Sequence, residues 1–187
     1  MNIIVKPYGG DLCHCRPDTT WERENRDFYS PECVNEIAWT PVVFARISKA
    51  GKCVSAKFVE RYYDGVGCGI LMYGVTAASD SGTSQSSSCI DHSSILPMPL
   101  YNPVVIEDDK EFTVAAGKET TAVSLGNSKA LLEEAICKAS QLTSLRIGDY
   151  IAVELEAAKT LASRETGDIA VKGVFCENEI FDFKIIF

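Results

Sequence analysis

The sequence predicts an α+β domain dominated by strands, a β-roll or barrel-like mixed β-sandwich with two or so short helices. Three observations predict it. Runs rich in β-branched and aromatic residues recur along the chain and fill its C-terminal third, a sustained helical repeat occurs in one stretch, and Gly-Asp pairs stand just before two of the late apolar runs. At 187 residues the chain fits a single domain, 1–187, able to bury roughly two thirds of its unfolded surface in one core.

Taken in order, "NIIVKPY" reads as a strand and "LCHCRPD" as an extended lead into "RPDTTWERENRDFYSPECVNE", a polar, proline-broken loop expected to carry a short hairpin. "AWTPVVFARI" is a stronger strand. "SAKFVERYY" is expected to be a short helix, N-capped by Ser55 and ending near Gly65. "GCGILMYGVTAA" reads as a buried strand and "SDSGTSQSSSCIDHSS" as a serine-rich loop, either a plain surface loop or a lid. "PVVIEDDKEFTV" suggests a hairpin with an acidic turn, and "NSKALLEEAICKASQL" a helix with Leu131, Leu132, Ala135, Ile136 and Ala139 on its inner face and Glu133 and Glu134 on its solvated edge. "GDYIAVEL", "GDIAVKGVF" and "EIFDFKIIF" are the closing strands.

A formal charge of −8 and the lack of a Lys/Arg stripe argue against nucleic acid as a partner. The apolar runs are too short for a membrane span. "MNIIVKPYGG" has no long apolar h-region, and the eight cysteines contain no CxxC pair; a cytoplasmic protein carrying thiols is expected.

The run from "CRPDTTWERENRDF" through "EIAWTPVVFARISKAGKCVSAKFVERYYDGVGCGI", followed by "LTSLRIGDYIAVEL", "RETGDIAVKG" and "EIFDFKIIF", resembles the fumarylacetoacetate hydrolase family over most of residues 13–187. The shared features are an Arg-Pro element, a presented loop, a ligand-bearing strand, a helix, a Gly-rich strand and two Gly-Asp turns. The resemblance implies a mixed β-sandwich roll, commonly dimeric. Active members bind a divalent metal and cleave, decarboxylate or isomerise small oxo-acids, whose enolate the metal stabilises. There a Glu-x-Glu on one strand and an Asp on the next hold the ion, because side chains two apart on a strand share a face.

The matching positions here are Thr40, Val42 and Gly74, and no acidic residue occurs from Ile37 to Ile47. The family's Lys, three residues before an Asp, matches Ser88, although Asp91 is kept. Its "T-G-T-P" turn reads Val153 to Glu156, and its His-Glu pair has no counterpart. No metal and no other cofactor is therefore expected, since Mg²⁺ and Ca²⁺ depend on anionic oxygens.

What is left is a vestigial pocket of Arg16, Thr40, Val42, Tyr73, Gly74, Asp91 and His92. Arg16 suits a small carboxylate, or simply an ion pair with Asp18 or Glu22. Asp91 and His92 suit acid-base chemistry, or simply a loop cap and an exposed imidazole. Cys13, His14 and Cys15 alternate across an extended segment, which favours a structural role over zinc or redox chemistry. Trp21 and Trp39 fit a pocket or a dimer seam. The leading expectation is a non-catalytic binding or interaction module, homodimeric by family analogy only. The alternative is a metal-independent hydrolase, isomerase or decarboxylase of a small oxo-carboxylate using Arg16, Asp91 and His92.

Overall fold

A computed structural model describes residues 1–76, 88–106 and 110–187. Its centre is a long antiparallel hairpin of β5 (Glu36–Ile47) and β6 (Tyr63–Val75), in register from Glu36 opposite Val75 to Ile47 opposite Tyr63. β5 is apolar on both faces, as expected of a strand covered from both sides. Ile37, Trp39, Val43, Ala45 and Ile47 enter the main core, while Val42 and Phe44 enter a second, smaller one.

Beyond β5 lie β10 (Tyr150–Glu154), β1 (Ile3–Lys6) and β2 (His14–Arg16). Beyond β6 lie β7 (Ser94–Ile95) and β3 (Trp21–Glu22), and β11 (Lys159–Ser163) pairs with the first half of β5. A second sheet runs β4 (Phe28–Tyr29), β13 (Asn178–Ile186), β12 (Ile169–Phe175), β8 (Glu111–Ala116), β9 (Glu119–Ser124). The main core joins this second sheet, through Phe112, Phe175 and Phe181, to one face of the first. Helix α1 (Ser128–Leu142) turns Leu132, Ala135, Ile136 and Ala139 into the same core, with Leu131 packed at its margin.

The first sheet curls until its ends meet. Arg16, on β2 at one end of the strand path, donates from Nη2 to the Met72 carbonyl oxygen on β6 at 2.8 Å and to Ser93 Oγ at 2.7 Å. Around this contact the polar seam continues from Thr20 Oγ1 to Ser94 Oγ (2.9 Å), from Trp21 Nε1 to the Leu96 carbonyl (3.0 Å) and from the Leu96 amide to the Glu22 carbonyl (3.1 Å). Inside the curl sits the second core: Ile3, Val5, Val42, Phe44, Leu71, Leu96, Tyr150 and Ala152. Glycines on the inner face of β6 make the close packing possible. A Cβ at Gly67 would lie 2.5 Å from the Phe44 ring.

The α+β class and the strand-rich closing third match the sequence reading, and Gly148 and Gly167 both take the positive φ that turns into β10 and β12 require. Several local expectations are corrected. Residues 56–61 form a 3-10 helix, Ala56–Arg61, and the Ser55 side chain makes no cap bond. No hairpin forms among the described residues between Arg16 and Glu36; β3 and β4 pair in parallel with β7 and β13 respectively, in different sheets. Pro103–Ile106 is a 3-10 turn, and the hairpin is β8 with β9 about Gly117. Both the acidic turn at 107–109 and most of the serine-rich loop, at 77–87, lie outside the described residues. No described helix is long and apolar enough to cross a membrane.

Candidate functional site

Register decides which side chains face the inside of the roll. Thr40 stands opposite Leu71 and Val42 opposite Gly69 on β6, while on its other flank Val42 stands opposite Glu154 of β10. Thr40, Val42 and Leu71 are all fully buried, and Thr40 Oγ1 donates to the Glu156 carbonyl at 2.7 Å. Gly74 is on the other face: it pairs with Ile37, and a Cβ there would meet Ile90 and Val34. The place expected at Gly74 thus belongs to Leu71, because a shift of three along a strand reverses the face.

A polar group survives within this apolar lining. Arg16 is 1% exposed, held by Met72 and Ser93 through Nη2, with its Cζ 4.9 Å from the centroid of the Tyr73 ring. Its Nε and Nη1 have no hydrogen-bond partner among the described residues. Tyr73 donates its hydroxyl to Glu154 Oε1, and Glu154 Oε2 accepts the Tyr8 amide at 2.9 Å. Burial, then Glu154's charge, pushes the Tyr73 phenol far above its ordinary range, so it stays a donor. Burial pulls the Arg16 guanidinium down, against the opposing pull of Tyr73 and Glu154. Neither Asp18 nor Glu22 forms the ion pair expected of Arg16.

His14 lies on the same strand within the field of both charges. Burial first, then Arg16, lowers it from its ordinary 6.5, and Glu154 opposes the shift. The unfolded chain therefore binds a proton near pH 6.5 that the folded chain does not yet take, so this residue's contribution to stability is complete above that pH and declines below it. Urea unfolding at pH 7.5 and 5.5 should show the parent protein losing more stability on acidification than His14→Gln; equal losses would contradict the assignment.

The remaining candidates do not join Arg16. His92 Nδ1 is 2.9 Å from Glu22 Oε2, and Glu22, 4% exposed, also accepts the Arg23 and Glu24 amides on Oε1. His92 takes a positive φ, and its own amide donates to the Thr19 carbonyl. Asp91 and His92 both line a surface cleft of about 320 Å³ with Asp27, Tyr29 and Cys89. Of the three side chains expected to converge in a metal-free enzyme, Asp91 and His92 thus share a surface cleft, and Arg16, buried against Met72 and Ser93, is not among its lining residues. Trp21 belongs to the inner core and Trp39 to the main one. Cys13 packs at the margin of the main core, Cys15 is exposed, and all eight cysteines are thiols.

The residues present do not fit a divalent cation at the family's metal position. Valine and leucine offer no donor, the Thr40 hydroxyl is directed at a carbonyl, and Glu154 is a single carboxylate with two hydrogen bonds already made. Among the described residues no three His, Cys, Asp or Glu side chains gather as a metal set. Leu71 escaped the sequence reading, and Glu154 entered it only within Val153–Glu156, the stretch matched to the family's "T-G-T-P" turn. The one signal for Glu154 was a lone acid ending an otherwise apolar core strand, "YIAVE".

The curled sheet and its central hairpin define the fumarylacetoacetate hydrolase fold. The chain superposes on 5-carboxymethyl-2-hydroxymuconate delta-isomerase from Mycobacterium smegmatis with a TM-score of 0.79 at 14% identity, covering 99% of this chain and 78% of that one. It superposes on fumarylpyruvate hydrolase from Pseudomonas aeruginosa, solved with Mn²⁺ and pyruvate, with a TM-score of 0.77 at 14% identity, covering 100% and 90%. For maleylpyruvate hydrolase from Sphingobium sp. SYK-6 the TM-score is 0.76 at 14% identity, covering 99% and 70%. No protein-family model matches the chain, and no curated protein matches it in sequence. At such identities the likeness carries the fold alone.

Proposed function

We propose that this chain is a non-catalytic, cytoplasmic binding module on a hydrolase/isomerase scaffold, homodimeric as the fold's family commonly is, and that Arg16 receives a small carboxylate inside the roll. One observation carries this reading: a fully buried guanidinium keeps two nitrogens unpartnered among the described residues. Those nitrogens bear three of its five N–H donors. Leaving buried charged donors unpaired costs about 1–3 kcal/mol or more, which a bound carboxylate would offset through charge-assisted bonds. Thr40, Val42 and Leu71 support the non-catalytic part, since the enolate chemistry of the fold's metal-using enzymes depends on a cation these side chains cannot hold.

Calorimetric titration with Mn²⁺ and Mg²⁺ should give no saturable heat below the millimolar range, and acylpyruvates should not be turned over. Acetate and propionate should raise the unfolding temperature in a concentration-dependent way. Tight cation binding or turnover would overturn the non-catalytic assignment; indifference to carboxylates would overturn the role of Arg16.

A further inference from the structure

The polarity of the roll interior says more about its occupant than that it carries a carboxylate. Among the described residues no carboxylate comes within ion-pair distance of Arg16, so its charge is met by three oxygens, of Met72 and Ser93, and an aromatic face. At the hydroxyl of the same tyrosine stands Glu154, an anion with no described cation in ion-pair contact; its described partners are the Tyr73 hydroxyl and the Tyr8 amide. Two bonds leave about two of a carboxylate's four acceptor positions. Tyr73 thus touches one positive and one negative group, both on the inner side of the sheet, each with hydrogen-bonding capacity to spare.

Glu154 is also the cross-strand neighbour of Val42, the position to which the family resemblance assigns a metal ligand. Where a cation would attract a ligand's oxo oxygen, this chain presents an acceptor. An oxo group brings only lone pairs and would meet Glu154 acceptor against acceptor. An ammonium brings three donors and a positive charge.

We propose that the site takes a zwitterionic amino-carboxylate, its carboxylate on Nε or Nη1 of Arg16 and its ammonium on Glu154, in place of an oxo-carboxylate. This rests on Arg16 being a carboxylate receptor and goes beyond it by naming the second group. The match is of charge as well as of hydrogen bonds: the ligand neutralises each wall and adds no net charge to the interior.

The test compares glycine, β-alanine and 4-aminobutyrate, which step the ammonium away from the carboxylate, with acetate, propionate, pyruvate and lactate, reading the unfolding temperature against concentration for the full chain. At least one amino acid should bind about tenfold or more tightly than the acid of matching length and than pyruvate, the factor expected for one charged hydrogen bond. Glu154→Gln, partly exposed and close in shape, should weaken that amino acid about tenfold while leaving acetate within about twofold. Pyruvate or lactate binding as tightly as every amino acid, or an amino acid indifferent to Glu154→Gln, would overturn the zwitterion and leave Arg16 standing as a carboxylate receptor. If none of the seven binds, the Arg16 donors are met by water and both readings fall.

Discussion

Arg16→Met should stay within about 2 kcal/mol of the parent protein's stability and should lose every response to carboxylates. That near balance follows from comparing what the guanidinium gives with what it costs. It supplies two short hydrogen bonds, to the Met72 carbonyl and Ser93 Oγ, a long one of 3.5 Å to the Ser93 carbonyl, and a cation–π contact with Tyr73. The two short bonds, each from a charged donor, and the ring contact together contribute about 3.5–8 kcal/mol. Against them stands the removal from water of a charge with no anion in contact, an effective penalty of several kcal/mol. Methionine fills much of the same volume without that penalty and leaves one new unpaired carbonyl, at Met72; Ser93 Oγ still donates to the Ile90 carbonyl. A urea titration decides it. A loss of 2 kcal/mol or more would mean that Nε and Nη1 are satisfied after all and that Arg16 is a structural strut.

Gly69→Ala should be the most damaging single methyl in the protein, costing about 3 kcal/mol, at the upper end for overpacking. The added Cβ would lie 2.2 Å from the Ile95 carbonyl oxygen. That oxygen is main chain in β7, whose partners are Ile70 and Leu71 on one side and Trp21 and Glu22 on the other, so it cannot rotate away as a side-chain tip would. Unfolding should show the lost stability, and amide exchange should show its origin, with Ser94 and Ile95 losing protection before Val43 and Ala45 do. A variant as stable as the parent would contradict the packing described for the roll.

The elements themselves are legible in the sequence because they depend on local chemistry. The apolar run of β5, the helical repeat that turns Leu132, Ala135, Ile136 and Ala139 inward, and the Gly148 and Gly167 turns each require only neighbours a few residues away. The site is legible in part. Arg16 and Tyr73 can be picked out and do meet, yet which residue lies beside Thr40 depends on a cross-strand register that no local signal states; a reading three residues off exchanges buried Leu71 for Gly74 on the opposite face. Arg16 is harder still. Acids at Asp18 and Glu22 are close in sequence, but the curl carries the guanidinium to Met72 and Ser93, while Glu22 goes to His92. Glu154 matters only once β10 is known to lie against Val42.

The polar seam gives the molecule a weak line. On one side of β6 the ladder runs the length of β5, whereas on the other β7 contributes two residue pairs, and β3 two more. Few bonds need to break for this wall to breathe, and the central hairpin survives when they do, so opening here is a local fluctuation far cheaper than global unfolding. Because Ser93 grips the guanidinium on which the proposed anion would settle, occupancy and breathing would be thermodynamically linked: a carboxylate bound to Arg16 would also fasten the clasp, and loosening the clasp would weaken its retention.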